Sequence, residues 1–432
     1  MKVTISPSVI AGSLQAPASK SSMQRACAAA LISNGSTLIR NPGSSNDELA
    51  ALRVIRSLGA EVKNEADGSL LIISHGIKPV NGFVNCGESG LGIRMFAPLI
   101  AVCAQTVTIE GEGSLLSRPM DFFDDVFPKL GIEVSSNRGK LPIQLKGPLV
   151  PKNIETDGSL SSQFLTGLLF AYSASGARDV SISVSNLKSR PYIDLTLSVM
   201  RSFQLKTPVN KNYESFYFSS EEWIRPKENI SYTVEGDWSG GAFLLVAAAI
   251  AGQAIVYGLD PHSMQADKAI LKALHSAGVC MHYDENEIHI RERSTGSLKA
   301  FHFDATDCPD LFPPLVALAA VCEGSSFITG VSRLQHKESD RAKTLQEEFL
   351  KLGVDILLHA DVMGIKGVLV LKSATVHSRE DHRIAMALAV AALRADGPVQ
   401  IEKADAIRKS YPGFFQDLSK IGVSVHVLDN KF

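Results

Sequence analysis

KLGIEV, at residues 129–134, has five counterparts along the chain, and their even spacing is typical of a structural repeat. The counterparts lie 69 to 75 residues apart and are SLGAEV (57–62), SFQLKT (202–207), SAGVCM (276–281), KLGVDI (351–356) and KIGVSV (420–425). A glycine at the end of an amphipathic segment is the usual left-handed cap of a helix, and the β-branched residues after it favour a strand. The degenerate copy has Gln204 in place of glycine. The pattern predicts six helix-to-strand junctions, one in each of six repeats.

A second series of segments recurs in the same frame, and these segments are apolar on every side. They start at Ser19, Ser89, Ser159, Asp237, Asp307 and Arg379. A helix that is apolar all round is buried, and a Ser or Asp at its start supplies the N-cap. Short alternating segments such as DVSISV (179–184) predict strands between the helices. Each repeat is therefore expected to run strand, buried helix, strand, amphipathic helix, strand, strand.

Six such repeats exceed one hydrophobic core, because single cores stop growing at about 250–300 residues. We therefore expect an α/β (α+β) protein of two domains with three repeats each. The predicted domains are residues 15–227 and residues 1–14 together with 228–432. The polar, proline-containing segment 219–231 is the expected link between them.

Composition and charge exclude several classes of function. Lys and Arg number 43 against 45 Asp and Glu, so the net charge of −2 gives no basic surface for nucleic acid or an anionic membrane. Apolar runs such as 243–251 are far shorter than the ~20 residues that a bilayer requires. The first residues lack the apolar core of a signal peptide, and the six cysteines form no C-x-x-C pair. These features predict a cytoplasmic protein with no metal and no nucleic-acid or membrane partner.

Polar residues gather where the buried helices begin. A buried helix N-terminus leaves N–H groups without partners and carries a partial positive charge, so it favours anions. Polar side chains at these starts are Lys20, Ser21, Arg25, Arg94, Ser161, Ser162, Gln163, Asp310, Asp381, His382 and Arg383, and amphipathic helices add Arg118, Ser189, Tyr192, residues 336–341 and Lys409. Because equivalent positions in repeats point in related directions, the cations are expected to converge. The sequence predicts an enzyme for small polyanions that carry several phosphates or carboxylates.

The motifs that hold these residues resemble those of the enolpyruvyl transferase family, specifically the 3-phosphoshikimate 1-carboxyvinyltransferases (5-enolpyruvylshikimate-3-phosphate, or EPSP, synthases). In the family's order they are PASKSSMQRA (17–26), GESGLGIR (87–94), LLSRPMD (115–121), GSLSSQFLTGLL (158–169), SRPYIDLTL (189–197), HKESDRA (336–342), EDHRIAMALA (380–389) and RKSYPGFF (408–415). The resemblance implies a two-domain inside-out α/β barrel of six βαβαββ repeats, three per domain. It also implies transfer of the enolpyruvyl group of phosphoenolpyruvate to the 5-hydroxyl of shikimate 3-phosphate, without a cofactor. No dimer surface is evident in the sequence, so we expect a monomer.

The resemblance also assigns roles to individual residues. Shikimate 3-phosphate is expected at Lys20, Ser21, Arg25, Ser161, Ser162, Gln163, Ser189, Tyr192, Asp310 and Lys337, mainly in the first domain. Phosphoenolpyruvate is expected at Lys20, Gly90, Arg118, Gln163, Arg341, Arg383 and Lys409, with the second domain as its main side. Asp310, Glu338 and Lys20 are the expected catalytic groups. Arg suits these ligands because its planar fork binds carboxylate and phosphate through two hydrogen bonds.

Some features depart from the family pattern or suggest another function. Leu91 and Met95 stand where the family usually has Thr and Pro, and Arg333 stands where Asn is common, so none of the three is placed in the site. A UDP-N-acetylglucosamine enolpyruvyl transferase is an alternative, but the loop at 110–119 lacks the cysteine expected of that enzyme. A non-catalytic ligand-binding protein on the same fold is a further alternative, although it would not need the three catalytic groups.

Overall fold

The computed structural model describes residues 1–159, 161–223, 229–291, 296–335 and 337–428. The chain separates into two compact units, one of Ala18–Val234 and one of Met1–Pro17 with the described residues from Glu235 onwards. Each unit contains three four-stranded sheets within these described ranges. The predicted boundary at 14/15 lies three residues before the first division, whereas residues 227 and 228, at the other predicted boundary, lie outside the described residues.

The strands are short and alternate in burial. In chain order they are β1 (Lys2–Ile5), β2 (Ser13–Gln15), β3 (Gly35–Arg40), β4 (Glu61–Asn64), β5 (Leu70–Ser74), β6 (Phe83–Asn85), β7 (Thr106–Glu110), β8 (Glu133–Ser136), β9 (Ile143–Lys146), β10 (Ile154–Asp157), β11 (Val180–Ser185), β12 (Val209–Lys211), β13 (Ser215–Phe218), β14 (Ile230–Thr233), β15 (Ala254–Tyr257), β16 (Met281–Tyr283), β17 (Glu287–Ile290), β18 (His302–Asp304), β19 (Ser325–Thr329), β20 (Asp355–His359), β21 (Val362–Lys366), β22 (Thr375–His377), β23 (Val399–Glu402) and β24 (Val425–Leu428). Alternation of this kind places one face of each sheet on a core.

The helices are of two kinds, buried and amphipathic. In chain order they are α1 (Lys20–Ile32), α2 (Asn46–Ser57), α3 (Gly90–Ile100), α4 (Asp121–Val126), α5 (Ser162–Ala174), α6 (Arg190–Ser202), α7 (Trp238–Ala251), α8 (Ile270–Ser276), α9 (Phe312–Ala319), α10 (Arg341–Lys351), α11 (His382–Ala392) and α12 (Phe414–Lys420). The buried helices α1, α3 and α5 pack against one another in one unit, as α7, α9 and α11 do in the other. None of the helices in the described part of the chain has the length and apolar character needed to cross a membrane.

All six sheets share one topology, which confirms the predicted repeat. The strand orders are β14-β3-β5-β4, β6-β7-β9-β8 and β10-β11-β13-β12 in one unit, and β16-β17-β15-β2, β18-β19-β21-β20 and β22-β23-β1-β24 in the other. In the second repeat, β6 and β7 are parallel, whereas β9 is antiparallel to both β7 and β8. A parallel pair needs a crossover helix, and α3 supplies it. The order β6, α3, β7, α4, β8, β9 is therefore one βαβαββ unit.

Three strands complete sheets that lie far from them in sequence. β14 runs parallel to β3 and so belongs to the unit of residues 18–234, which extends that unit past the predicted boundary at 227. β2 runs parallel to β15, and β1 lies between β23 and β24, antiparallel to both. The first seventeen residues are thus part of the unit that the C-terminal half forms.

Three of the six buried helices begin at the predicted residue. The side chains of Ser19, Ser89 and Asp237 each accept a hydrogen bond from a backbone N–H in the first turn of their helix. The caps of α5 and α11 are Ser161 and Asp381, each two residues after the predicted start at Ser159 or Arg379. The start predicted at Asp307 is wrong, because a 3₁₀ turn at Pro309–Leu311 precedes α9. Proline suits that first turn because it has no N–H that would need a partner there.

The repeated hexapeptides are left-handed helix ends at all six places. The five glycines, among them Gly131 and Gly278, have φ between +78° and +98°, and Gln204 has φ +52°. A side chain in this conformation is strained by about 1–2 kcal/mol relative to glycine. The Gln204 side chain also leaves its buried amide oxygen without a hydrogen-bond partner in the described part of the chain.

Gln204→Gly should therefore stabilise the protein by about 1 kcal/mol, because it removes both the strained Cβ and the unpaired oxygen. The measurement is the free energy of unfolding in urea. The matched control is Gly278→Gln, because Gly278 has φ +78° and a Cβ built there meets nothing within 4 Å, so this change tests backbone strain alone. The control should lose a similar amount, and a stabilised control or a destabilised Gln204→Gly would contradict the explanation.

Candidate active site

The first turns of α1, α3 and α5 contact one another. The Ser89 hydroxyl at the start of α3 donates to Gln24 Oε1 of α1 at 3.0 Å, and Arg94 Nη1 of α3 donates to Gln163 Oε1 of α5 at 3.0 Å. The three helix N-termini therefore lie at the same end of this unit. Their partial positive charges add at that end, which favours an anion.

Lys20, the first residue of α1, is held by an acid that sequence analysis did not select. Lys20 Nζ lies 2.9 Å from Asp47 Oδ2, and the Asp47 residue is only 3% exposed. Asp47 lies in the first turn of α2, where an acid is expected to complement the helix dipole. The sequence therefore contained no separate signal that Asp47 partners Lys20.

Arg25 connects two other predicted site residues, Ser21 and Tyr192, within one unit. Its guanidinium is buried and donates from Nη1 to the Ser21 carbonyl at 2.9 Å and from Nη2 to the Tyr192 carbonyl at 3.3 Å. Nε donates to Thr196 Oγ1 at 2.9 Å, and the guanidinium carbon lies 5.9 Å from the centre of the Tyr192 ring. These contacts fix the position of Arg25 before any ligand arrives.

The remaining predicted residues of this unit sit at helix starts. Ser161 caps α5 by accepting the Gln163 N–H at 3.1 Å, and Ser162 is the first residue of that helix. Ser189, which is buried, precedes α6 with φ +57°. Buried hydroxyls beside helix N-termini can donate to an anion while the backbone N–H groups also face it.

Gly90 and Arg118 lie in close contact at the start of α3. A Cβ built on Gly90 would lie 2.3 Å from Arg118 Nη1 and 2.8 Å from its guanidinium carbon. Leu91 and Met95, by contrast, are buried among apolar side chains of the core on the same helix. Only glycine at position 90 therefore leaves Arg118 in its present position.

In the other unit, Asp310 is the common partner of three cations. Its Oδ1 lies 3.2 Å from Lys337 Nζ and 2.9 Å from Arg341 Nη1, and its Oδ2 lies 3.1 Å from Arg383 Nη2. Burial would raise the pKa of the Asp310 carboxyl, but the charges of these three cations hold that pKa well below its usual value. Asp310 is therefore a carboxylate in this state.

Arg341 extends the same network toward three more charged groups. Its Nε lies 2.9 Å from Asp381 Oδ2 and its Nη2 lies 2.7 Å from Glu338 Oε2, while Glu338 Oε1 is 3.9 Å from Lys409 Nζ. Burial lowers the pKa of the Arg341 guanidinium, but the neighbouring acids outweigh this and raise it. We call Asp310, Lys337, Glu338, Arg341, Asp381, Arg383 and Lys409 the Asp310 cluster.

The Asp310 cluster has four cations and three acids within one unit. Burial lowers the pKa of the Lys337 ammonium, and the Asp310 charge opposes that shift. Arg333, which was left out of the predicted site, also responds to the Asp310 charge, and burial is the main cause of its lowered pKa. Asp381 was recognised in the sequence only as a helix-start residue, although it is the fully buried partner of Arg341.

Metal ligation has no support in the described residues. Across the ranges that the structure describes, no three His, Cys, Asp or Glu side chains are grouped so that they could hold a metal ion. The unit of residues 18–234 instead gathers helix N-termini with cations at their starts, whereas the other unit gathers four cations around Asp310, Glu338 and Asp381. Each of the two sets can bind the charged groups of small polyanions.

Comparisons with known proteins point to one family. The model of the EPSP synthase (3-phosphoshikimate 1-carboxyvinyltransferase) family matches residues 5–418. The chain is 34% identical over 429 residues to the 3-phosphoshikimate 1-carboxyvinyltransferase of Clostridium novyi (strain NT), covering 97% of each chain. It is 35% identical over 429 residues to the enzyme of that name from Methanocorpusculum labreanum, covering 98% of this chain and 99% of the relative.

Solved structures show the same fold. EPSP synthase from Acinetobacter baumannii superposes with a TM-score of 0.81 at 23% identity, covering 99% of this chain and 100% of that one. The enolpyruvyl transferase NikO from Streptomyces tendae superposes with a TM-score of 0.75 at 16% identity, covering 98% of both chains. At these identities the superpositions establish the two-domain inside-out α/β architecture.

The charge balance of the Asp310 cluster should appear in the pH dependence of stability. Asp310→Asn leaves Lys337, Arg341 and Arg383 without their shared carboxylate and should lower the free energy of unfolding at pH 7 by about 3 kcal/mol. Because the pKa of the Asp310 carboxyl is lower in the folded protein than in the unfolded chain, where it is near 4, the carboxylate stabilises the fold above that pH. The stabilisation is lost as the pH falls through the pKa of the folded protein. The difference between wild type and variant should therefore shrink below about pH 4.

Urea unfolding at several pH values between 3 and 7 measures this difference. The control is Asp284→Asn, whose exposed carboxylate lies 3.6 Å from His282 Nε2. The control should change stability little at any pH. A stability loss in Asp310→Asn that is the same at pH 3 and pH 7 would contradict the depressed pKa.

Proposed function

The chain belongs to the EPSP synthase family and transfers the enolpyruvyl group of phosphoenolpyruvate to the 5-hydroxyl of shikimate 3-phosphate, and we propose that Asp310 is the base of this reaction. The observation that carries the proposal is the Asp310 carboxylate, which Lys337, Arg341 and Arg383 contact directly. The reaction releases phosphate and belongs to aromatic amino acid biosynthesis.

Shikimate 3-phosphate, in this proposal, binds through hydroxyls and fixed cations. Its proposed partners are Lys20, Ser21, Arg25, Ser161, Ser162, Gln163, Ser189, Tyr192, Asp310 and Lys337. The support is that Arg25 already holds the Ser21 and Tyr192 backbone in place, and that Ser161 and Ser162 begin a helix whose first turn faces the same end as α1. Groups that are ordered before binding lose less entropy when the ligand arrives.

Phosphoenolpyruvate, in this proposal, binds mainly through cations. Its proposed partners are Lys20, Gly90, Arg118, Gln163, Arg341, Arg383 and Lys409. The support is the contact of Gly90 with Arg118 and the ion pairs that orient Arg341 and Arg383. Two phosphates and two carboxylates on the substrates would neutralise the excess of cations over acids.

The addition needs two proton transfers, the elimination reverses one of them, and one C–O bond replaces another. A proton added to C3 of phosphoenolpyruvate makes C2 electrophilic, and the 5-hydroxyl oxygen then bonds to C2 while Asp310 takes the hydroxyl proton. In the second half, C3 loses a proton as the bond between C2 and the phosphate oxygen breaks. Glu338 and Lys20 are the proposed groups for the C3 proton and the leaving phosphate. Such groups each contribute about 10²–10⁴ in rate.

The basicity of Asp310 is set by its neighbours. While no anionic ligand shares Lys337, Arg341 and Arg383, the pKa of the Asp310 carboxyl stays low and Asp310 accepts a proton poorly. Substrate phosphate and carboxylate groups that share these cations would weaken that effect and raise the Asp310 pKa. The base would then become effective only when both substrates are bound.

We propose a monomer, and we propose that it works in the cytoplasm with its biosynthetic pathway.

The alternatives predict different substrates. Phosphate release from phosphoenolpyruvate should require shikimate 3-phosphate and should not occur with UDP-N-acetylglucosamine. Release with the amino-sugar nucleotide would support the second enzyme, and release with neither substrate would support a non-catalytic binding protein.

Asp310→Asn should lower kcat by at least about 100-fold, because it removes the base with little change in volume. The KM for shikimate 3-phosphate should change by only a few-fold. Lys409→Ala, which removes a proposed phosphoenolpyruvate ligand, should instead raise the KM for phosphoenolpyruvate most. Steady-state kinetics of both variants measure these effects, and near-normal turnover of Asp310→Asn would mean that another group is the base.

Gly90→Ala should raise the KM for phosphoenolpyruvate by about tenfold, because the new Cβ must displace the Arg118 guanidinium and weaken a charged hydrogen bond. The KM for shikimate 3-phosphate should stay within a factor of two. The control is Gly35→Ala, where an added Cβ meets nothing within 4 Å. An equal rise in both KM values would show a general loss of structure rather than displacement of Arg118.

A further inference from the structure

The segment between β22 and α11 has an unusual backbone. Arg379 and Glu380 are consecutive residues with φ of +53° and +60°, although neither is glycine. They directly precede Asp381, which is the N-cap of α11 and a member of the Asp310 cluster. Strained residues persist only where the surrounding structure holds them, and they are enriched at functional sites.

The second repeat contains a turn with the same two backbone hydrogen bonds, but there only the first of the two residues between them is left-handed, and it is a glycine. Ser378 N–H donates to Glu402 O at 3.1 Å, as Cys86 N–H donates to Glu110 O at 2.9 Å. Asp381 N–H donates to Ser378 O at 3.0 Å, as Ser89 N–H donates to Cys86 O at 3.1 Å. Gly87, with φ +57°, therefore occupies the position equivalent to Arg379. Since the fold accepts glycine at this position, the backbone of the turn does not require the Arg379 side chain.

Glu348 holds the strained turn from α10. Its side chain is fully buried, and its Oε2 accepts the His377 N–H at 2.8 Å and contacts Lys351 Nζ at 2.6 Å. Its Oε1 lies 3.2 Å from Arg379 Nε. The ion pair between Arg379 and Glu348 thus connects the turn to α10.

The turn determines where Asp381 lies. Asp381 Oδ1 accepts the Arg383 N–H at 2.9 Å, and Asp381 Oδ2 accepts from Arg341 Nε at 2.9 Å. Arg341 and Glu348 are seven residues apart on α10, so they lie two turns apart on the same face of that helix. Two residues of α10, Arg341 and Glu348, therefore contact the segment 377–383. In the same segment, Arg383 Nη2 lies 3.1 Å from Asp310 Oδ2.

We propose that Glu348 is a positioning residue for phosphoenolpyruvate binding, acting through the 377–381 turn on Asp381, Arg341 and Arg383. The inference rests on the proposed function, because Arg341 and Arg383 are proposed phosphoenolpyruvate ligands. Glu348 is fully buried and ion-paired, so it acts on those ligands rather than on substrate. In metal sites, residues that orient the ligating side chains contribute about 10–100-fold, and we expect an effect of that order here.

The first variant is Glu348→Gln, which keeps the size of the side chain and an oxygen for the His377 N–H but removes the charge that holds Arg379. The KM for phosphoenolpyruvate should rise by about tenfold or more, while the KM for shikimate 3-phosphate stays within a factor of two. The control is Glu347→Gln, which removes the exposed second partner of Arg379 at 3.3 Å and should leave both KM values unchanged.

The second variant, Arg379→Gly, separates positioning from stability. Glycine adopts the left-handed conformation without strain, so the melting temperature should stay the same or rise. The KM for phosphoenolpyruvate should nevertheless rise, because the turn has lost its tie to Glu348. The double variant should be no worse than the more impaired single variant, since both changes break one connection.

Arg383→Ala, measured in parallel, separates failure of this inference from failure of the proposed function. If Arg383→Ala leaves the KM for phosphoenolpyruvate unchanged, the assignment of the ligands is wrong. If Arg383→Ala raises that KM but Glu348→Gln and Arg379→Gly do not, Glu348 is only structural and the inference is overturned. Equal rises in both KM values, or a fall in melting temperature that accounts for the loss in Arg379→Gly, would also overturn it.

Discussion

A helix that is buried on every side must still satisfy the N–H groups of its first turn, and both units are organised around this constraint. Side-chain caps such as Ser19, Ser89 and Asp381 accept some of these hydrogen bonds. The remaining N–H groups and the partial positive charge of each helix start stay directed at one end of the unit. Because the sheets cover the flanks of the helices, the polar residues of the chain collect at these helix starts.

Cations placed at helix starts would repel one another without compensation. In one unit Asp47 neutralises Lys20, and in the other Asp310, Glu338 and Asp381 surround Arg341. These acids hold the cations in fixed positions but leave a net excess of positive charge, which an anionic substrate can use. The same groups that permit the protein to fold with buried charges therefore prepare it to bind polyanions.

Much of this organisation was readable in the sequence, because it depends on local pattern. The glycine at each helix end, the apolar helices and their Ser or Asp caps predicted six repeats, and even Gln204 has the conformation of the glycines it replaces. The strands that complete distant sheets were not predictable, because β1, β2 and β14 look like any other short strand until their partners are known. The sequence indicated the cations of the site but not Asp47 or Glu348. The position of an acid on a helix does not indicate which cation it contacts in the folded protein.

The exchange of strands affects how the chain can fold during synthesis. The unit of residues 18–234 is complete in one continuous segment, so it can fold once its last strand has left the ribosome. β1 and β2 are made first, yet Lys2 pairs with Glu402 and Leu428, at the other end of the chain. The edges of β1 must therefore wait through the translation of nearly the whole protein, whereas β2 waits until β15 has been made. Unpaired edges of this kind promote aggregation. The N-terminal seventeen residues are thus the part of the nascent chain that most needs protection by a chaperone.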